Sequence, residues 1–327
     1  MAKYKFIASL HDFEIKQVLN KGIVIKDNIR ISNSSNKVSE IIDRTFSDAI
    51  GGLELTCIET MPYFYAVGDC EEENVFQDSK VGLEFLGYFL LCTQYFNSLL
   101  WLIKDNSVNI ENGFLRLQSS RKIKCHSNSR TGAFFNSKGK REVTEFTPEE
   151  INAIVKFSQY FFNPLHTEEV ESTKEASLEA FKGDRIERFF YFLQAARVES
   201  YLPNRISTFV TLLETLLSTS STEVTHKLKE RLAWILGENF EERKEIFDTM
   251  GVIYKIRSAN VHGNTMPKQG NSLEKLEKLS MTVEEYARKL ILKIINDEDI
   301  RGLYRGVGER VDKKIENWLN ELVLGKQ

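Results

Sequence analysis

The stretch Tyr254-Lys255-Ile256-Arg257-Ser258-Ala259-Asn260-Val261-His262-Gly263 reads as the last turns of a helix, and the second half of the chain is organised around it. On a helical wheel Val252, Ile256 and Ala259 share one face with Ile253 beside them, so that face is the buried one. Lys255 and Ser258 fall away from it, whereas Arg257 and Asn260 lie at its margin. A polar group at such a margin must find partners, either as a structural hydrogen bond or as part of a site. His262 would stand roughly 140° round an unbroken helix from Arg257, so the two can share a cleft only if the helix stops here. Gly263 supplies the stop, because a glycine just past the last turn can adopt the left-handed conformation, and Pro267 follows as a second brake.

Upstream, Asp184–Ser200, Asn204–Ser218 and Thr225–Leu236 repeat the helical pattern. Their apolar stripes are Ile186, Phe189, Phe190 and Leu193; Phe209, Leu212, Leu213, Leu216 and Leu217; and Leu228, Leu232, Ile235 and Leu236. Glu241–Met250 leads into the motif helix, and Leu273–Ile295 and Val311–Leu324 follow it. Residues 184–327 therefore predict an all-α bundle. The charged, apolar-poor run Glu168–Glu179 marks a linker over 166–183.

Residues 1–165 carry an α+β signature. Gly22–Ser32 reads as strand, turn at Asp27-Asn28, and strand; Glu40–Ile50 is a short helix ended by Gly51-Gly52; Leu53–Ile58 and Pro62–Val67 read as strands again. Phe85–Ile103 contains no charge, but Thr93, Gln94, Asn97 and Ser98 make one polar patch, which favours a core helix over a membrane span. Asn112-Gly113 and the alternating Phe114, Leu115, Arg116 and Leu117 point to further strands. Thr147-Pro148-Glu149-Glu150 is a capping box that opens a helix running to about Phe162.

The chain has 327 residues, 42% hydrophobic and 28% charged, enough for two cores. Cys57, Cys70, Cys92 and Cys125 show no Cys-x-x-Cys spacing, so a reducing, cytoplasmic compartment is expected, with no metal and no cofactor. The first ten residues lack the apolar core of a secretory signal. The acidic cluster Asp69, Glu71, Glu72, Glu73 reads as a solvated turn. A formal net charge of −3 rules out an indiscriminate polyanion binder, so contact with RNA needs a local patch. Arg121 to Arg141 is that patch: Arg121, Lys122, Lys124, Arg130, Lys138, Lys140 and Arg141, with Phe134-Phe135 in its middle and no acid among them. It can grip phosphates and stack on bases, with Lys138, Lys140 and Arg141 as substrate-binding candidates, or it is a solvated hairpin whose phenylalanines cover a sheet edge.

The spacing Arg257-x4-His262 resembles the active-site motif of HEPN-domain ribonucleases, and Tyr-x-x-Arg-Ser-x-x-Val-His-Gly at 254–263 looks like the Apea-like branch of that superfamily. The resemblance covers roughly Asp184 to Asn264. It includes helices carrying Ala195-Ala196-Arg197, Leu213-Glu214-Thr215-Leu216-Leu217 and Lys229-Glu230-Arg231-Leu232-Ala233, similar in type and order to those preceding the motif in that family. A second Arg-x4-His match, Arg121 to His126, lies in a polar segment without helical pattern. The resemblance implies a metal-independent endoribonuclease acting as a homodimer, in defence against phage, with the N-terminal half sensing a phage-derived trigger. A histidine titrates near neutral pH and can move the proton of a ribose 2′-hydroxyl, the role expected of His262. A permanently charged arginine can stabilise the phosphate in the transition state, the role expected of Arg257. Asn260 is expected to position the phosphate or the imidazole, Tyr254 and Ser258 to touch substrate, and Arg197 and Glu214 to stand behind the motif. The alternative is a non-catalytic helical scaffold for dimerisation or nucleic-acid binding.

Overall fold

A computed structural model of the chain describes residues 1–70, 76, 79–129, 132–161, 183–220 and 222–325. Glu71, Glu72, Glu73, Arg130 and nearly all of the expected linker lie outside the described residues. By its internal contacts the chain divides into two units: Met1–Phe134 with Arg141–Thr167, and Phe135–Lys140 with Glu168–Gln327. The fold class is α+β followed by helices.

The first unit is built on a six-stranded sheet. Its strands are β1 (Ala2–Ser9), β3 (Ile23–Lys26), β4 (Ile29–Ser32), β5 (Tyr63–Cys70), β6 (Asn112–Gln118) and β7 (Ile123–Ser129), in the order β3-β4-β5-β1-β6-β7. Every neighbouring pair is antiparallel. β1 lies between β5 and β6; its first half alternates, with Tyr4 buried between Lys3 and Lys5, and its second half, Phe6–Ser9, is buried on both faces. Tyr4 and Phe6 meet the helix α4 (Ser79–Leu100), where Phe6 stacks on Phe89 with ring centroids 4.7 Å apart. Ile7 enters a cluster with Val38, Ile41, Phe46, Ile50, Ile58, Tyr63, Tyr65 and Phe114, roofed by α1 (Ser35–Ile41), α2 (Arg44–Ile50) and α3 (Gly52–Thr60). A two-stranded parallel ribbon, β2 (Phe13–Glu14) with β8 (Thr144–Glu145), stands apart. The capping box expected at Thr147 opens α5 (Pro148–Phe161), with Glu150 N–H donating to Thr147 Oγ1 at 3.3 Å and Thr147 N–H to Glu150 Oε2 at 3.0 Å.

Two expectations change here. The segment Leu53–Ile58, whose alternation reads as strand, is helical in α3: Leu55 and Ile58, three apart, both turn to the cluster while Leu53 is 80% exposed. The expected helix Glu40–Ile50 is two, since α1 ends at Ile41 and α2 begins at Arg44; in α4 the polar patch lies in the core, with Thr93, Asn97 and Ser98 buried. Thr93 and Ser98 donate back to the carbonyls of Phe89 and Gln94, which lets hydroxyls sit inside the core. Among the described residues no helix is long and apolar enough to cross a membrane.

The second unit comprises α6 (Arg185–Arg197), α7 (Leu202–Leu217), α8 (Val224–Leu236), α9 (Phe240–His262), α10 (Leu273–Asn296), α11 (Glu298–Tyr304) and α12 (Glu309–Val323). α6 starts on a capping box between Asp184 and Glu187. α7 is the hub: α6, α8, α9 and α10 all pack on it, and ten of its residues are buried. The pieces expected as Glu241–Met250 and a motif helix are one 23-residue helix, α9. Gly251 does not break it, because its bare Cα faces the Lys229 stem on α8 and lets the two helices approach. Inside this unit lies a buried ion pair: Arg205 Nη2 on α7 meets Glu284 Oε2 on α10 at 2.7 Å, with side chains 0% and 1% exposed.

Candidate functional site

The last three turns of α9 are placed by their apolar residues. Ile253, Ile256 and Ala259 are buried, which leaves Tyr254, Ser258 and Val261 along the outward face, with Arg257 and His262 on its two flanks. The helix ends where glycine permits. Gly263 takes φ 68° and ψ 24°, and both its N–H and that of Asn264 return to the Ala259 carbonyl.

Arg257 is 25% exposed at its side chain. Its Nη2 lies 3.9 Å from Glu214 Oε2 on α7, and its guanidinium carbon is 5.4 Å from the centre of the Tyr254 ring. That separation from Glu214 makes an ion pair without a close hydrogen bond. Among the described residues its buried Nε has no acceptor. The guanidinium is thus oriented on two sides by an acid and a ring, with donors left for an incoming anion. Burial pushes the Glu214 carboxyl above its ordinary value, while Arg257 and a hydrogen bond from Tyr254 oppose the shift. Glu214 therefore stands behind Arg257.

His262 is the last residue of α9 and is exposed. The helix stops at Gly263, where the glycine was expected to end it: Val261 and His262 both continue the helix, and Gly263 is the first residue suited to ending it. The two side chains leave α9 about 140° apart and about 7.5 Å apart along the axis. One copy does not close them over a single phosphate.

Asn260 takes a different place from the one expected of it. Its Nδ2 donates to Asn204 Oδ1 at 2.9 Å and to Ser207 Oγ at 3.2 Å, both on α7. It pins the end of the motif helix to the hub and is a positioning residue. Asn204 and Ser207 were missed in the sequence, although their spacing of three beside the apolar stripe of α7 places them on one helix face. Arg197 is fully buried at the end of α6, and its carbonyl accepts from Phe135 N–H at 2.8 Å and Arg205 Nη1 at 3.4 Å. Arg205, which was also missed, gathers the α6 end: its Nη1 donates to the carbonyls of Ala196, Arg197 and Glu199.

The basic segment is not one phosphate-gripping surface. Lys140 pairs with Glu277 on α10 at 2.8 Å, and Arg141 with Asp12 at 2.7 Å and Glu111 at 3.1 Å, so carboxylates of the chain occupy both cations. Lys138 is partly buried, its N–H held by Asn136 Oδ1 at 3.0 Å. Phe134 is 1% exposed and offers no ring for stacking. Reading Lys140 and Arg141 as substrate-binding is therefore corrected, the physical reason being charge satisfied within the fold. The second motif match lies on β7: Arg121 is in the exposed turn before it, and the His126 ring packs on Gly82 of α4. Burial and Lys124 hold the His126 imidazole below its ordinary value. Comparison of the chain with protein-family models, with curated proteins and with solved structures finds no match.

Proposed function

We propose that the helical unit is a HEPN-type endoribonuclease that works as a homodimer, with Arg257 and His262 as its catalytic residues. The observation that carries this reading is the state of Arg257: half-buried, oriented by Glu214 and Tyr254, and with its Nε donor unmet, on the same solvent-facing helix end as an exposed histidine. A buried donor without a partner costs free energy in a resting fold, on the order of 1–3 kcal/mol, and is tolerated where a ligand satisfies it.

The ribose 2′-hydroxyl attacks the adjacent phosphorus, His262 removing its proton and returning one to the departing 5′-oxygen. The products are a 2′,3′-cyclic phosphate and a 5′-hydroxyl. Arg257 meets the negative charge that grows on the non-bridging oxygens. The angular separation of the two groups on α9 is the reason for the dimer: Arg257 of one copy faces His262 of a second when two α9 ends cross about a two-fold axis, over the stripe Tyr254, Ser258 and Val261. Val261, 56% exposed, supplies apolar area for that crossing. Tyr254 and Ser258 then line the floor on which RNA lies. In this reading the protein is a cytoplasmic antiphage effector, and its N-terminal unit receives a phage-derived trigger. One observation favours the non-catalytic scaffold as a second reading: Asn260, one turn from Arg257, is occupied in tethering helices.

The test is to incubate the purified full chain with cellular RNA in excess EDTA and map the fragment ends. Wild type is expected to leave cyclic-phosphate ends, and Arg257→Ala and His262→Ala to be folded and silent. Cleavage that needs added magnesium, or that survives His262→Ala, overturns the reading, and an inert wild type supports the scaffold.

A further inference from the structure

Residues 135–140, which lie between β7 and β8 in the chain, belong to the helical unit, while Phe134 and Arg141 on either side belong to the other. They form a tight loop. Asn136 Oδ1 accepts from the N–H groups of Lys138 and Lys140, both at 3.0 Å, and Asn136 N–H donates to the Lys140 carbonyl at 2.9 Å. Asn136 and Ser137 are buried. The loop is fastened to the helical unit at three points. Phe135 N–H donates to the Arg197 carbonyl at the end of α6, Gly139 lies against the Ser200 carbonyl and Leu202, and Lys140 pairs with Glu277 on α10. Gly139 has φ +70°, and a Cβ there would fall inside contact distance of the Ser200 carbonyl oxygen, so the close approach demands glycine.

From these points a chain of direct contacts leads to the motif helix. The Arg197 carbonyl that takes Phe135 N–H also takes Arg205, and Leu202 is the first residue of α7. One turn on, Asn204 and Ser207 hold Asn260 of α9. We propose that residues 135–140 are a strap by which the N-terminal part of the chain fixes the start of α7 and, through Asn260, the end of α9 that carries Arg257 and His262. Through covalent continuity alone, any event in the first unit that draws on Phe134 or Arg141 pulls on this strap. The inference concerns the order of the α9 end and does not require that end to cut RNA.

The experiment is hydrogen exchange on the full chain, wild type against Gly139→Val, following peptides over 200–210 and 254–264. The strap predicts at least about tenfold faster exchange in both windows, with α12 and β1 unchanged. A second set, Lys140→Glu alone and with Glu277→Lys, keeps the proposal falsifiable if the valine variant misfolds: the single variant loosens both windows and the charge swap restores them. Changes confined to 132–142, or a swap that restores nothing, would overturn it. RNA cleavage is measured separately, so an inert wild type bears on the nuclease reading and leaves this one standing.

Discussion

Replacing Arg205 with methionine removes several interactions of one guanidinium at once: the Glu284 carboxylate at 2.7 Å and the carbonyls of Ala196, Arg197 and Glu199 at 3.1 to 3.4 Å. Both members of the pair are buried, so the loss takes from a carboxylate in the core its closest cation, with Arg288 standing farther off at 3.6 Å. Breaking such a pair from one side costs about 3–5 kcal/mol. For a unit the size of the helical one each kcal/mol lowers the melting temperature by about 2–4 °C, so a fall of about 8–16 °C in its unfolding is expected at the middle of that range. Glu284→Gln should cost a similar amount, because it removes the charge that both Arg205 and Arg288 approach. The double change Arg205→Met with Glu284→Leu should recover to within about 2 kcal/mol of wild type, since an apolar pair of similar volume needs no counter-charge. Arg288, 16% exposed, stands at the edge of the core and can turn to water. Urea unfolding followed by tryptophan fluorescence reads this unit through Trp234 and Trp318. A loss below about 1 kcal/mol for Arg205→Met, or a double variant no better than the single ones, would refute the view that the pair is internally compensated.

Three further outcomes are expected. If the site is shared between copies, mixing inactive Arg257→Ala with inactive His262→Ala should restore roughly a quarter of the wild-type cleavage rate, since half the dimers are mixed and each holds one intact site; no recovery means that both groups act within one copy. Because burial raises the Glu214 carboxyl, its contribution to stability is complete below its ordinary value of 4.5 and is lost as pH rises through the raised value, so Glu214→Gln should be as stable as wild type or more so at pH 7, with the difference vanishing below pH 4.5 in denaturant titrations. The His126 imidazole is shifted the other way, so the first unit should lose stability as pH falls through 6.5 and below, and His126→Leu should flatten that dependence; an unchanged pH profile would contradict the buried, unmet Nε2.

The helices of the second unit were legible because their signals are local. Asp184 and Glu187 are three apart, the stripe of α7 repeats at three and four, and Gly263 announces its own left-handed turn. That Arg257 and His262 lie on one helix end was legible for the same reason. Which partners the marginal polar groups would choose was not. Asn260 meets Asn204, 56 positions earlier, and Lys140 meets Glu277 from another part of the chain altogether. No spacing rule encodes such meetings, so a cation that reads as phosphate-binding in a basic run is found paired inside the fold. The misreading at Leu53–Ile58 has a physical source too: six residues of Leu-Glu-Leu-Thr-Cys-Ile satisfy alternation by chance, and only packing shows that Leu55 and Ile58 are the ones turned inward.

The place of β1 in its sheet has a consequence for how the protein is made. Residues 2–9 are synthesised before both of the strands they pair with, since they hydrogen-bond to residues 63–70 on one side and 114–118 on the other. While the nascent chain grows, one edge of this strand must wait bare until residue 70 has left the ribosome and the other until residue 118. Such delayed, long-range closure is slow and exposes sticky segments to neighbours and to chaperones. Expression in cells short of chaperones should therefore deplete this protein during translation, before any question of its finished stability arises.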